Sequence, residues 1–284
     1  MKRLTAISMI LALFALVSGT ATAESRIVSA DGSITEIIYA LNQQHRLVGV
    51  DTTSSYPPAA QQLPQIGYKR NLAAEGILSL GPQQLLASED SGPDDIIDQI
   101  ASAGVMVSRF SAEPTLAALE EKLKGVAKLL GEPEGGEKLW QQVQQDLARA
   151  KQVTDKVNQP LKVLFVLDGS ARSPIVGGSN THADTMIRLA GGVNVAAELR
   201  GYKPITAEAL LAANPDLILA MEHGRKPIDP KTLVTQPGFA GTNAANNNRV
   251  VLMDGLYLIG FGPRTGEAVR TLVEQFYPQQ LAAQ

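Results

Sequence analysis

The sequence predicts an α/β protein of two lobes joined by one long helix, and three observations lead there. Its 284 residues exceed what one hydrophobic core of ordinary size organises, which favours two lobes of roughly 100–150 residues each. Short β-rich runs alternate with helical patterns from end to end. Between Glu134 and about Val157 there is no proline and, after Gly136, no glycine, while Trp140, Val143, Leu147, Ala150 and Val153 recur at helical spacing. At 1.5 Å per residue that is roughly 33–36 Å of helix, about the width of a small domain. The expected division is a leader over 1–23, a first lobe over 24–133, the joining helix over 134–157 and a second lobe over 158–284.

Composition bounds the function. With 44% apolar and 19% charged residues the chain can bury ordinary cores, which excludes a disordered tail or a fibre. A net charge of −3 gives no general reason to bind nucleic acid or an anionic membrane. The absence of cysteine excludes disulfides, thiolate metal sites, cysteine nucleophiles and thioether lipid anchors together. Met1-Lys2-Arg3, the apolar run Ile7 to Val17 and the small residues Ala21-Thr22-Ala23 have the order of a secretory leader cleaved after Ala23. Its removal takes away Lys2 and Arg3, so the exported chain carries a charge of −5. With no cysteine to lipidate, the expected product is free in solution in a periplasm.

The elements follow in order. Arg26-Ile-Val-Ser-Ala reads as a strand, Ser33-Ile-Thr-Glu36 as a capping box opening a helix through Leu41, and Leu47-Val-Gly-Val as the next strand. Asp94 to Ala103 is helical, Val105 to Phe110 a strand, and Thr115 to Leu130 a helix with Leu116, Leu119, Leu123, Val126 and Leu130 on one face. After the joining helix, Lys162 to Leu167 is a strand and Thr181-x-x-Asp184 opens a helix ending at Gly191-Gly192. Leu217 to Met221 and Val250 to Met253 are strands, and a helix over Gly266 to Phe276 closes the chain.

An internal echo relates the lobes. The fifteen residues from Glu75 to Glu89 align without gaps on Glu208 to Glu222, with six identities and an offset of 133. Just upstream, Gly67-Tyr68-Lys69 is echoed by Gly201-Tyr202-Lys203. Each copy reads as loop, short helix, proline-marked turn, buried strand and polar loop.

These residues resemble the substrate-binding proteins of bacterial iron-chelate ABC importers, the class that includes vitamin B12, siderophore and haem carriers. The stretches that carry it are Ile27-Val-Ser, Tyr56-Pro-Pro, Asn71 to Glu89, the central helix, Leu189-Ala-Gly-Gly-Val-Asn194 and the run from Ala213. Within the class, Ile66-Gly-Tyr-Lys-Arg70 and Glu222-His-Gly-Arg225 look like the periplasmic haem-binding branch. The resemblance implies two Rossmann-like lobes joined by a rigid helix, the class III periplasmic binding protein arrangement. It further implies haem in the interlobe cleft, fed indirectly by an outer-membrane haem receptor system and delivered to an inner-membrane permease dimer with its ATPase. A ferric siderophore or cobalamin is the alternative cargo, because specificity resides in cleft side chains.

Ferric iron in a porphyrin has axial positions open, and a phenolate is a hard anionic ligand suited to it. Tyr68 is the expected ligand. A phenol's ordinary pKa near ~10 means that nearby cations must help, and Lys69 and Arg70 adjoin it. Residues two apart on an extended segment share a face, so Arg70 is expected to point with Tyr68, the role of an arginine at that spacing in the family it resembles. Tyr202 is the rival by the repeat, but Pro204 stands where the arginine would be. Arg225, beyond the strand ending at Met221, is the expected propionate clamp, with His223 beside it. His45 reads as exposed and His182 as a residue of a helix's first turn. Arg172 and the apolar run Tyr257 to Gly262 are further cleft candidates, and the lack of histidine in Asp168 to Ser173 argues against a second haem.

Glu75 and Glu208 are equivalent by the repeat. In the family it resembles, one such glutamate on each lobe engages the permease; a helix N-terminal dipole also favours a carboxylate there. An enzyme is not expected: the sequence has no Gly-x-Ser-x-Gly, P-loop or His-Glu-x-x-His, and its three histidines are too scattered for a dedicated metal carrier.

Overall fold

The computed structural model describes residues 25–169, 174–222 and 228–282. The expected leader, Arg172 and the loop holding His223 and Arg225 lie outside the described residues. Strands β1 (Ile27–Ala30), β2 (Leu47–Val50), β3 (Gln84–Ser88) and β4 (Met106–Phe110) form a first sheet, all parallel, in the order β2-β1-β3-β4. Strands β5 (Lys162–Asp168), β6 (Ile175–Gly177), β7 (Val193–Asn194), β8 (Tyr202–Pro204), β9 (Leu217–Met221) and β10 (Val250–Met253) form a second. Its parallel part runs β7-β5-β9-β10, and β6 with β8 extends it antiparallel beyond β5.

The echo holds at the level of register. Gln84 lies opposite Ile27, and Leu217, its counterpart at an offset of 133, lies opposite Val163. Gly81 and Asn214, equivalent residues just before β3 and β9, both take left-handed backbone, with φ of 57° and 43°. Two sheets of one strand order are therefore built from one sequence grammar.

The helices are α1 (Gly32–Ala40), α2 (Ala74–Leu78), α3 (Asp94–Ser102), α4 (Leu116–Leu129), α5 (Pro133–Thr154) and α6 (His182–Leu189). They continue with α7 (Ala207–Ala213), α8 (Pro230–Leu233), α9 (Asn243–Asn246), α10 (Gly255–Ile259), α11 (Thr265–Phe276) and α12 (Pro278–Ala282). Three expectations need correction. The capping box at Ser33 does not form: Asp31 caps α1, accepting from the Ser33 and Ile34 amides, because its short carboxylate precedes the helix in extended backbone. The segment Tyr257 to Gly262, whose sequence suits either a cleft face or a buried turn before the last helix, is helical in its first half, the end of α10, which Asp254 caps. Tyr202 lies on β8, where short Gly- and Pro-flanked pairing gave no periodic signal.

The long helix α5 starts with Pro133 at its first turn, where a missing amide costs nothing, and ends at Thr154 rather than Val157. It packs on α4 on one side and α11 on the other. Both seams are set by glycine. A Cβ on Gly136 would sit 2.7 Å from Ala127 Cβ and 3.1 Å from Lys124 Cα in α4; one on Gly266 of α11 would sit 2.7 Å from the Val143 carbonyl in α5. One continuous buried cluster runs from Ile27 and Leu86 through Leu123, Val126, Trp140 and Val143 to Phe165, Leu219, Val269 and Leu272, so it reaches both sheets. Among the described residues no helix is long and apolar enough to cross a membrane.

Candidate ligand cleft

Loops leaving the carboxyl ends of parallel strands are where open α/β sheets bind ligands. Asp31 follows β1, residues 51–56 follow β2 and Asp90 follows β3. The Tyr68 loop is stitched among them. The Ile66 amide donates to Val50 O at 3.0 Å, Thr52 N to Gly67 O at 2.9 Å and Gly92 N to Lys69 O at 2.8 Å. Gly67, at φ +89°, supplies the left-handed bend that starts the turn closed by Asn71 N to Tyr68 O at 2.7 Å.

Three consecutive side chains then diverge. Tyr68 points outward and is 42% exposed. The Arg70 Nη1 donates to the Tyr68 hydroxyl oxygen at 2.7 Å, while its Nη2 pairs with Asp90. Lys69 turns inward, bridging Asp31 Oδ2 at 2.6 Å and Asp90 Oδ1 at 2.9 Å. Its ammonium is thus occupied, and its connection to the phenol runs through Asp90. The Ser88 hydroxyl completes that carboxylate at 2.6 Å.

Electrostatics fix these charges. Burial alone would raise Asp31, but Lys69 and Lys122 outweigh it and hold the carboxyl well below the usual range. Burial opposes the charge on Lys69 and on Arg70; Asp31 and Asp90 reverse this for the lysine, Asp90 and Tyr68 for the arginine, and both are raised. Lys122 of α4 is buried, donates to the Ser33 hydroxyl at 2.8 Å and is lowered, chiefly by that burial. The Arg70 guanidinium thus sets a positive charge directly against the Tyr68 hydroxyl oxygen.

The second half presents a different surface. The Tyr202 ring packs against Phe165, with centroids 6.2 Å apart, and its hydroxyl is buried without a hydrogen-bond partner. Burial pushes this phenol up to about 12. Tyr68 and Tyr202, each preceded by a glycine of positive φ, are thus equivalent in sequence and opposite in setting. His182 opens α6 after Thr181, the N-cap, and its ring stacks on Phe261 at 4.4 Å. Burial, with Lys122 and Lys69 beyond it, pushes the imidazole down to about 4. The Tyr257 hydroxyl meets the Thr271 hydroxyl at 3.1 Å. Arg264 reaches the first half: its Nε donates to Glu36 Oε2 at 3.1 Å and its Nη2 to Oε1.

Glu75 on α2 and Glu208 on α7 are both exposed, above Ile77 and Leu210, which are equivalent and fully buried. Sequence reasoning missed Asp31, Asp90, Lys122, Glu36 and Arg264. A carboxylate just past a strand was a readable signal for the first two. Glu36 and Arg264 are 228 positions apart, and nothing local pairs them.

Duplicated α/β halves with polar loops gathered at the carboxyl ends of parallel strands define a ligand-binding protein, and the chain belongs to the periplasmic binding protein family over residues 27–256. Membership implies a periplasmic location. More particularly, it is similar to the periplasmic heme-binding protein RhuT from Roseiflexus sp. RS-1 in its apo form, at 40% identity and a TM-score of 0.86, covering 90% of this chain and 99% of that one. The periplasmic heme-binding protein BhuT, in complex with two hemes, is similar at 39% identity and a TM-score of 0.85, covering 90% of this chain and 99% of that one. YvrC of Bacillus subtilis, an uncharacterized ABC transporter substrate-binding lipoprotein, is 27% identical over 89% of this chain and 80% of its own length.

Proposed function

We propose that this chain is the periplasmic carrier of a bacterial haem importer: it takes ferric haem between its halves through a bond from the Tyr68 phenolate to iron and hands it to an inner-membrane ABC permease. The observation that carries the reading is the 2.7 Å hydrogen bond from Arg70 to the hydroxyl of an exposed tyrosine, held in place by Asp90. Arg70 balances the phenolate. Lys69 acts one step back, fixing Asp90 and so the arginine. Arg225 is the propionate clamp, with Arg172 and His223 as further cleft groups. The likeness to two heme-binding proteins supports haem over a siderophore or cobalamin, and the buried hydroxyl of Tyr202 supports Tyr68 as the ligand. Glu75 and Glu208 are the docking carboxylates, α5 keeps the halves at a nearly fixed separation, and the mature chain begins after Ala23 without lipid.

Titration with haemin tests this. A tyrosinate-type absorption band is expected to form, to be absent in Tyr68→Ala and to persist in Tyr202→Phe. Arg70→Ala is expected to weaken binding by about tenfold or more, the value of a hydrogen bond to a charged group of ~1.5–3 kcal/mol. Binding of a hydroxamate chelate or cobalamin in place of haemin would overturn the reading.

A further inference from the structure

Tyr56 sits in the segment that leaves the carboxyl end of β2, on the same sheet edge as Asp31 and Asp90, and is 44% exposed. A single exposed tyrosine needs no explanation. What is unusual is how this one is braced. The Arg264 guanidinium carbon lies 3.7 Å from the Tyr56 ring centroid, and the same guanidinium lies 4.9 Å from the centroid of Tyr257. Arg264 is anchored through two nitrogens to Glu36, a carboxylate of α1 that is 4% exposed. An ion pair this far out of water is costly to assemble. Its effect is to fix one face of an exposed ring, at a strand-end site, with a cation from the opposite half. The rest of the ring stays open.

We infer that Tyr56 is a second contact for the cargo: a stacking face on which a flat, extended π-system lies, held from behind by Arg264. This rests on the haem reading above and adds to it the residue that grips the macrocycle rather than the metal. Offset stacking on a tyrosine suits a planar aromatic ligand, and a cation against the rear face holds the ring in place. Because Arg264 belongs to the second half and Tyr56 and Glu36 to the first, a ligand on the open face loads a contact that already spans both. Tyr68 then determines the iron spectrum, and Tyr56 contributes retention without touching iron.

The test is paired titration with haemin and with iron-free protoporphyrin, using the full mature chain, Tyr56→Leu, Tyr56→Phe and Tyr68→Ala. Loss of a stacking contact is expected to weaken Tyr56→Leu about three- to tenfold for both pigments. Its haemin band should stay in place, and Tyr56→Phe should bind as the parent does. Tyr68→Ala should lose the haemin band while keeping protoporphyrin binding. Unchanged affinity of Tyr56→Leu for both pigments would overturn the inference and leave the haem reading standing. Equal weakening by Tyr56→Phe would overturn it too, by assigning the effect to the hydroxyl. A parent protein that binds neither pigment would remove both. Tyr56→Leu also gives up its contact with Arg264, so retention of a single cooperative thermal transition excludes misfolding, and Tyr56→Phe, which keeps the contact, should melt as the parent does.

Discussion

At the scale of single residues, the loop over Tyr68 to Arg70 shows how three neighbours divide their work. The turn closed by Asn71 N on Tyr68 O, rather than the extended alternation expected, brings Arg70 back onto Tyr68 and sends Lys69 inward, where two carboxylates engage it. The pairing of Tyr68 with Arg70 was legible from spacing. The destination of Lys69 was not, because Asp31 and Asp90 come close only once three strands align. His182 gives a prediction at this scale. Its pKa falls from an ordinary 6.5 to about 4 through burial, with Lys122 and Lys69 adding to it. The unfolded chain therefore binds a proton below pH 6.5 that the folded chain refuses. The contribution is complete above pH 6.5 and is lost as pH falls towards 4, by about 3 kcal/mol over the interval. The ion-paired carboxyls of Asp31 and Asp90 are lowered from 3.8, so their losses begin below that value. Urea unfolding at several pH values should show a shallower decline for His182→Gln between pH 6.5 and 4. Parallel declines would remove His182 as the cause.

At the scale of elements, long periodic stretches were readable and short ones were not. The strands Leu47–Val50, Leu217–Met221 and Val250–Met253 coincide with the expected residues, because an unbroken apolar run bounded by polar ends has one sensible reading. The antiparallel pair β6 and β8, three residues each, gave no such signal. The α1 cap was misread because both Asp31 and Ser33 satisfy the rule for an N-cap, and only the backbone turn at Asp31 decides between them. The seams of α5 lay beyond the sequence altogether. Gly136 looks like a weak point in a helix, yet it lets α4 approach, and Gly266 does the same for α11. A methyl at either position would press on backbone, so Gly136→Ala and Gly266→Ala should each destabilise by about 1–3 kcal/mol, despite the better helix propensity of alanine. Thermal or denaturant unfolding would show it; a gain in stability would mean that the seams relax.

At the scale of the whole molecule, the repeat that was visible as six identities in fifteen residues became two sheets of one strand order. It also set Glu75 and Glu208 on equivalent helices, exposed in both halves. A pseudo-symmetric pair of carboxylates suits a two-fold partner. Replacing both with alanine is expected to leave haemin affinity unchanged and to abolish stimulation of the importer's ATPase in reconstituted vesicles. Undiminished stimulation would place the docking surface elsewhere. The interlobe pairing of Glu36 with Arg264, by contrast, had no trace in the sequence, since complementary charges so distant in the chain have innumerable alternative partners.

The buried cluster that passes from one sheet through α4, α5 and α11 to the other has a consequence for how the chain endures. Each half keeps a smaller cluster of its own on the other face of its sheet, but the interior shared across the junction means that melting one half strips the other of packing on its inner face. A cysteine-free chain has no covalent staples to hold a half-melted form together. Its lifetime among extracytoplasmic proteases is governed by the rarity of global opening, and that rarity is a property of the junction more than of either sheet.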